Sequence, residues 1–160
     1  MKYHILLLIL TMVALRAEPS PKLLDLKWME GTWLHESEGT TVRVTGKWIE
    51  GGKFFERNFT IQMGASPEKR LRQTVFWDPS KKLIRSFGVY SDGGLEEAEW
   101  EIKDGKIEVK RVLIQPEGLR GKATNHWRLI GEKDCEWYST KRSMGREKLP
   151  DIPETGLEKQ

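Results

Sequence analysis

After Leu26, apolar and polar residues alternate along most of the chain, in short runs rich in Val, Ile, Thr and aromatic residues. The runs recur about every 8 to 14 residues between clusters of turn residues, the spacing of an all-β sandwich or barrel. Alternation with a period of two predicts strands near 32–36, 40–49, 53–63, 71–77, 83–90, 95–103, 106–114, 122–130 and 135–142. The turns between them are explicit. Glu50-Gly51-Gly52-Lys53, Asp92-Gly93-Gly94 and Asp104-Gly105 supply the positive φ angles that tight hairpins demand. Asp78-Pro79-Ser80-Lys81 puts proline at the second position of a type I turn, with the aspartate able to bond back to the chain. Segment 19–27 predicts a short helical lid capped by Ser20, with Leu23, Leu24 and Leu26 turned inward. The tail from Ser143, interrupted by Pro150 and Pro153, reads as an irregular wrap with at most a short edge strand.

The alternation assigns faces. The inward set is Val42, Val44 and Trp48; Phe55, Phe59, Ile61 and Met63; Leu71, Val75 and Trp77; and Leu83, Phe87 and Val89. It continues with Ala98, Trp100 and Ile102; Ile107, Val109 and Leu113; Ala123, Trp127 and Leu129; and Cys135 and Trp137. Opposite faces carry Glu97, Glu99, Glu101, Lys103, Glu108, Lys110 and Thr124, a solvated exterior. A single apolar face per strand is buried most economically by closing the sheet on itself, which also removes its edges. The expected fold is therefore an all-β, antiparallel up-and-down barrel of nine to ten strands, with a two-sheet sandwich as the alternative.

The first residues follow a different pattern. A short basic start with Lys2, an apolar run from Ile5 to Leu15 and then Arg16-Ala17 form the three-part layout of a secretory signal peptide over 1–17. The run is far shorter than the roughly 20 residues a membrane-spanning helix needs. The expected organisation is a leader, a lead-in over 18–27 and one barrel domain over 28–160. The expected location is secreted or periplasmic, with no stable membrane anchor after cleavage. Losing Lys2 and Arg16 takes two positive charges from a net +3 and leaves +1. Lysines and arginines alternate with glutamates along the chain, so no basic patch recommends nucleic acid as a partner. One cysteine excludes an intramolecular disulfide framework and every multi-cysteine metal pattern.

Trp28-Met29-Glu30-Gly31-Thr32-Trp33 opens the first strand, and Gly-x-Trp in that place resembles the start of the calycin barrels, the lipocalins and fatty-acid-binding proteins. A more specific series comprises Trp77-Asp78-Pro79, Ile84-Arg85-Ser86, Ser91-Asp92-Gly93-Gly94, Trp100, Trp137 to Arg142 and Leu149 to Glu154. Together these residues resemble an uncharacterised calycin-like domain of secreted bacterial proteins, found alone or behind a SnoaL-like domain, especially in planctomycetes. The resemblance covers roughly Leu26 to the C-terminus. It implies a lipocalin-like barrel and no particular activity. It also implies that Trp33 sits at the barrel floor beneath an arginine from the last strand, the place Arg142 matches, as a closure device.

The candidate ligand site comes from polar residues in register with apolar neighbours: Arg57, Gln73, Arg85, Arg111 and Asn125, with Ser139 beside them. Inward guanidinium groups match the fork of a carboxylate, so the expected partner is a small, partly apolar, acidic ligand. Glu96 also has inward parity and is a candidate partner for one arginine. The alternative is a structural or protein-interaction module whose interior is filled by Trp48, Trp77, Trp100, Trp127 and Trp137, because small barrels have just enough width for side chains.

Other chemistry has less support. His35 and His126 on separate strands are the only histidine candidates for a metal or haem iron, and no cofactor is expected. Ser86, His126 and Asp92 make up a nominal triad without a nucleophile elbow, so no catalytic residues are assigned. Cys135 reads as a core thiol. Asn58-Phe59-Thr60 is a glycosylation sequon that matters only in a eukaryotic secretory pathway.

Overall fold

The computed structural model describes residues 19–160; the leader expected over 1–17 lies outside them. The strands are β1 (Gly31–Ser37), β2 (Thr40–Ile49), β3 (Phe54–Met63), β4 (Lys69–Asp78), β5 (Leu83–Tyr90), β6 (Leu95–Lys103), β7 (Lys106–Ile114), β8 (Arg120–Leu129), β9 (Asp134–Met144), β10 (Glu147–Lys148) and β11 (Ile152–Lys159). Each of β1 to β9 pairs antiparallel with the next, β9 pairs with β11, and β11 pairs back to β1. Ten strands therefore close into one antiparallel barrel, and among the described residues β10 pairs only with the last residues of β9. The Asp104-Gly105 hairpin has both central residues at positive φ, 51° and 73°, as a turn of the primed kind requires.

The tail is where the architecture departs from expectation. Segment 152–159 is a barrel strand inserted between β9 and β1, not an irregular wrap. Pro153 is accommodated because the β9 register shifts between Ile152 and Thr155, so its missing N–H interrupts no ladder pair. Leu157 is buried on this strand and joins the core.

One barrel end is plugged by a 3-10 helix over Pro21–Met29. With three residues per turn, Leu23, Leu26 and Met29 fall on one line and are buried, while Leu24 turns outward and is exposed. Leu24 lies a third of a turn from that buried line, so its inward assignment is corrected. Ser20 acts through its backbone, whose carbonyl accepts from Leu23 N–H at 2.8 Å, and makes no side-chain cap. The end of this helix presses on β2. A Cβ at Gly46 would lie 2.3 Å from the Met29 carbonyl oxygen, so only glycine fits there.

The inward assignment for β5 is also corrected. Ile84, Ser86 and Gly88 are buried, while Phe87 and Val89 are exposed. The reason is steric. Trp100 on β6 reaches Ser86 and donates its indole N–H to Oγ at 2.9 Å. A Cβ at Gly88 would lie 2.8 Å from Leu71 Cδ1. Large neighbours fill the lumen in front of β5, so its small residues face in and its apolar ones face out.

Candidate functional site

The lumen has two layers. Near the plugged end the core is apolar and includes Leu23, Leu26, Met29, Trp33, Phe55, Val75, Ile107 and Leu157. Toward the other end, polar side chains enter from β3 to β9. Antiparallel register sets Arg57 opposite Gln73, Gly88 opposite Glu96, and Asn125 opposite Ser139.

Glu96 organises the upper layer and is 2% exposed. Its Oε1 accepts from Gln73 Nε2 at 2.8 Å, and its Oε2 accepts from the Tyr90 hydroxyl at 2.9 Å and from Arg111 at 2.6 Å. Arg111 also donates to the Tyr90 oxygen at 3.0 Å. Burial pulls the Arg111 guanidinium down, but the charge of Glu96 and contact with Tyr90 outweigh it and hold Arg111 above the ordinary arginine value. Burial, reinforced by Glu96, raises the Tyr90 phenol. Arg111 is thereby neutralised within the protein.

Arg57 is in a different situation. It is 2% exposed, and among the described residues it has no ion pair; its Nε has no hydrogen-bond partner. Its guanidinium carbon lies 4.4 Å from the Trp127 ring centre, 4.6 Å from Phe59 and 5.4 Å from Trp100. Those faces offer about 0.5 to 2 kcal/mol each, less than the desolvation of a cation. Burial accordingly pulls Arg57 down to about 9, offset only in part by the fields of Glu96 and Cys135. Gln73, its register partner, has a buried Oε1 without a hydrogen-bond partner, and Asn125 Oδ1, Ser139 Oγ and Arg111 Nε are likewise unpartnered elsewhere on the inward face. Unsatisfied groups of this kind are rare in native interiors and call for a ligand or ordered water.

Of the five residues assigned from sequence, the structure brings Arg57, Gln73, Arg111 and Asn125 to the lumen. It does not bring Arg85, which shares the outer face with Phe87 and Val89 and pairs with Asp78 at 3.3 Å and Glu97 at 3.8 Å. The cause is the reversed face of β5. Tyr90, inward on the same strand, went unassigned for that reason, although the row Ser86, Gly88, Tyr90 carried the signal. The cation over Trp33 is Lys159 of β11, 5.3 Å from the ring, and not Arg142. Arg142 lies near the far end of β9 and donates to the Pro150 carbonyl at 2.6 Å. Lys159 takes the place because β11, not β9, flanks β1.

The remaining candidates stay apart. His126 is on the outer face of β8, stacked on Tyr138 at 4.3 Å, with Nε2 3.1 Å from Thr140 Oγ1. His35 bonds the Gly156 carbonyl at 2.8 Å. Ser86 faces the lumen, His126 faces solvent, and Asp92 accepts from Gly94 N–H in the β5–β6 turn, so the nominal triad does not assemble. Among the described residues no cluster of three or more His, Cys, Asp or Glu is arranged to hold a metal ion. The Cys135 thiol is buried and pushed up to about 12 by that burial, a core thiol in chemistry as well as position. Asn58, the sequon residue, lies in mid-strand and donates to Glu56 at 3.2 Å. A scan against protein-family models matches no family, and a search of the curated proteins matches none.

Proposed function

We propose that this protein is an exported, lipocalin-like barrel that binds a small, partly apolar acid in its lumen, with Arg57 receiving the acid group. The observation that carries this reading is a buried arginine with no carboxylate partner among the described residues, walled by aromatic rings and set opposite the unpaired amide oxygen of Gln73. An anion there would restore to Arg57 what burial removes, and the indole faces of Trp100 and Trp127 would cover an apolar tail. Export rests on the leader pattern of 1–17, and the calycin resemblance is compatible with a closed ten-stranded barrel. A second reading, a structural or interaction module with a tryptophan-filled core, is favoured by the closeness of the three rings around Arg57.

Tryptophan fluorescence separates the two. Octanoate should quench saturably and 1-octanol, with the same chain and no charge, should not. Arg57→Met should abolish the response, and Arg85→Met, altered on the outer face, should keep it. Absence of saturable quenching by every member of a panel of medium-chain and aromatic acids overturns the proposal in favour of the filled core.

A further inference from the structure

We infer that the lumen selects an acid that carries a hydrogen-bond donor beside its carboxylate, as a 2-hydroxy acid or an N-acylated amino acid does, through Asn125, Ser139 and Gln73. This rests on the ligand-binding reading above and narrows its ligand class.

The donor and acceptor inventory around Arg57 drives the inference. Arg57 offers only donors, and a plain carboxylate, which offers only acceptors, would satisfy it. Of the other unpaired atoms, Arg111 Nε is a further donor, but Gln73 Oε1 and Asn125 Oδ1 are acceptors only and the Ser139 hydroxyl can accept as well as donate. Gln73 stands directly across from Arg57 on the neighbouring strand. Its amide orientation is fixed, because Nε2 must face the carboxylate of Glu96 and a flipped amide would set two oxygens against each other. Its Oε1 is therefore an acceptor, buried and without a donor. On the far wall, Asn125 lies two residues from Trp127 on the same inward face, about 7 Å along β8, and the Trp127 ring lies beneath the Arg57 guanidinium. Asn125 is opposite Ser139 in register, yet neither side chain bonds the other, and Oδ1 and Oγ are both buried without partners. Ser139 is 1% exposed and Gln73 3%. A plain acid would match Arg57 and leave the amide oxygens facing more oxygen. An acid with an adjacent O–H or N–H supplies the missing donor, and sites built to bond such a group discriminate strongly against analogues that lack it.

The test compares octanoate with each enantiomer of 2-hydroxyoctanoate at pH 7.5, by tryptophan quenching and by calorimetry on the full chain. Both acids are ionised, and the hydroxyl makes the second less apolar, so an unselective greasy lumen would prefer octanoate. The inference predicts the reverse: one enantiomer of the hydroxy acid binds about tenfold more tightly or better. Ser139→Ala and Asn125→Leu should each shrink that ratio toward unity, whereas Arg85→Met, on the outer face, should leave it unchanged. Equal binding, or preference for octanoate, with Arg57 still required, overturns the selection and leaves the proposed function standing. Binding of neither acid overturns the selection, and the proposed function falls with it when the rest of the acid panel is silent too.

Discussion

Arg57 carries a charge into surroundings where charge is expensive, and a buried cation without a counter-ion weakens the fold that holds it. Burial holds Arg57 down to about 9, well below the ordinary arginine value, so the folded state releases this proton more readily than the unfolded chain, and stability should rise as pH climbs above about 9. The same reasoning makes Arg57→Met stabilising at pH 7, by about 1 to 4 kcal/mol in urea unfolding. Destabilisation by that substitution would make Arg57 a structural residue. Asp78 behaves in the opposite sense. Bonds from Ser80, from the backbone of Lys81 and from Arg85 hold its carboxyl at about 2, below the usual 3.8. Its stabilising contribution is complete above pH 4 and is lost as pH falls toward 2. The stability difference between the protein and Asp78→Ala should therefore narrow across that interval. An unchanged difference between pH 6 and pH 2 would contradict the assignment. The Asp78 turn was readable directly, because an Asp-Pro-Ser sequence needs only local geometry. Whether Arg57 would be paired was not, since that depends on Glu96 taking Arg111, its diagonal neighbour on the adjacent strand β7, as its partner.

At the scale of elements, the 3-10 plug is held by three apolar residues spaced for its period. Leu26 is fully buried beneath the lumen. Leu26→Ala should cost about 2 to 5 kcal/mol in urea unfolding, whereas Leu24→Ala, on the exposed side, should cost little. Similar losses at both positions would mean that the segment does not pack as a 3-10 helix. The plug was foreseeable as a lid, but its period was not, because nine residues fit either repeat. Strand faces were legible where large apolar residues alternate with charge, as in β6 with Ala98 and Trp100 against Glu97, Glu99 and Glu101. They failed in β5, where Phe87 and Val89 outweigh Ser86 and Gly88 on any hydrophobicity count, and only the bulk of Trp100 and Leu71 on the two flanking strands decides the face. Arg85 was misplaced with them.

For the whole molecule, closure depends on the C-terminal strand. β11 pairs with both β9 and β1, buries Leu157 and brings Lys159 over Trp33. Removing 152–160 should leave two open sheet edges and yield a chain that associates in size-exclusion chromatography and melts without cooperativity. A monomer with a sharp melt would show that the barrel closes without it. The two prolines near this strand hid it from sequence reading, because the register shift that tolerates Pro153 is a property of the assembled pair. The lumen itself combines an apolar floor, a neutralised Glu96–Arg111–Tyr90 group and a cation with no partner, which is the arrangement a small acid would complete. A crystal structure of the protein grown with saturating 2-hydroxyoctanoate tests this most directly. The account predicts the carboxylate against the Arg57 guanidinium, with the tail along Trp100 and Trp127. Ordered water alone around Arg57, with the acid absent from the lumen, would contradict it.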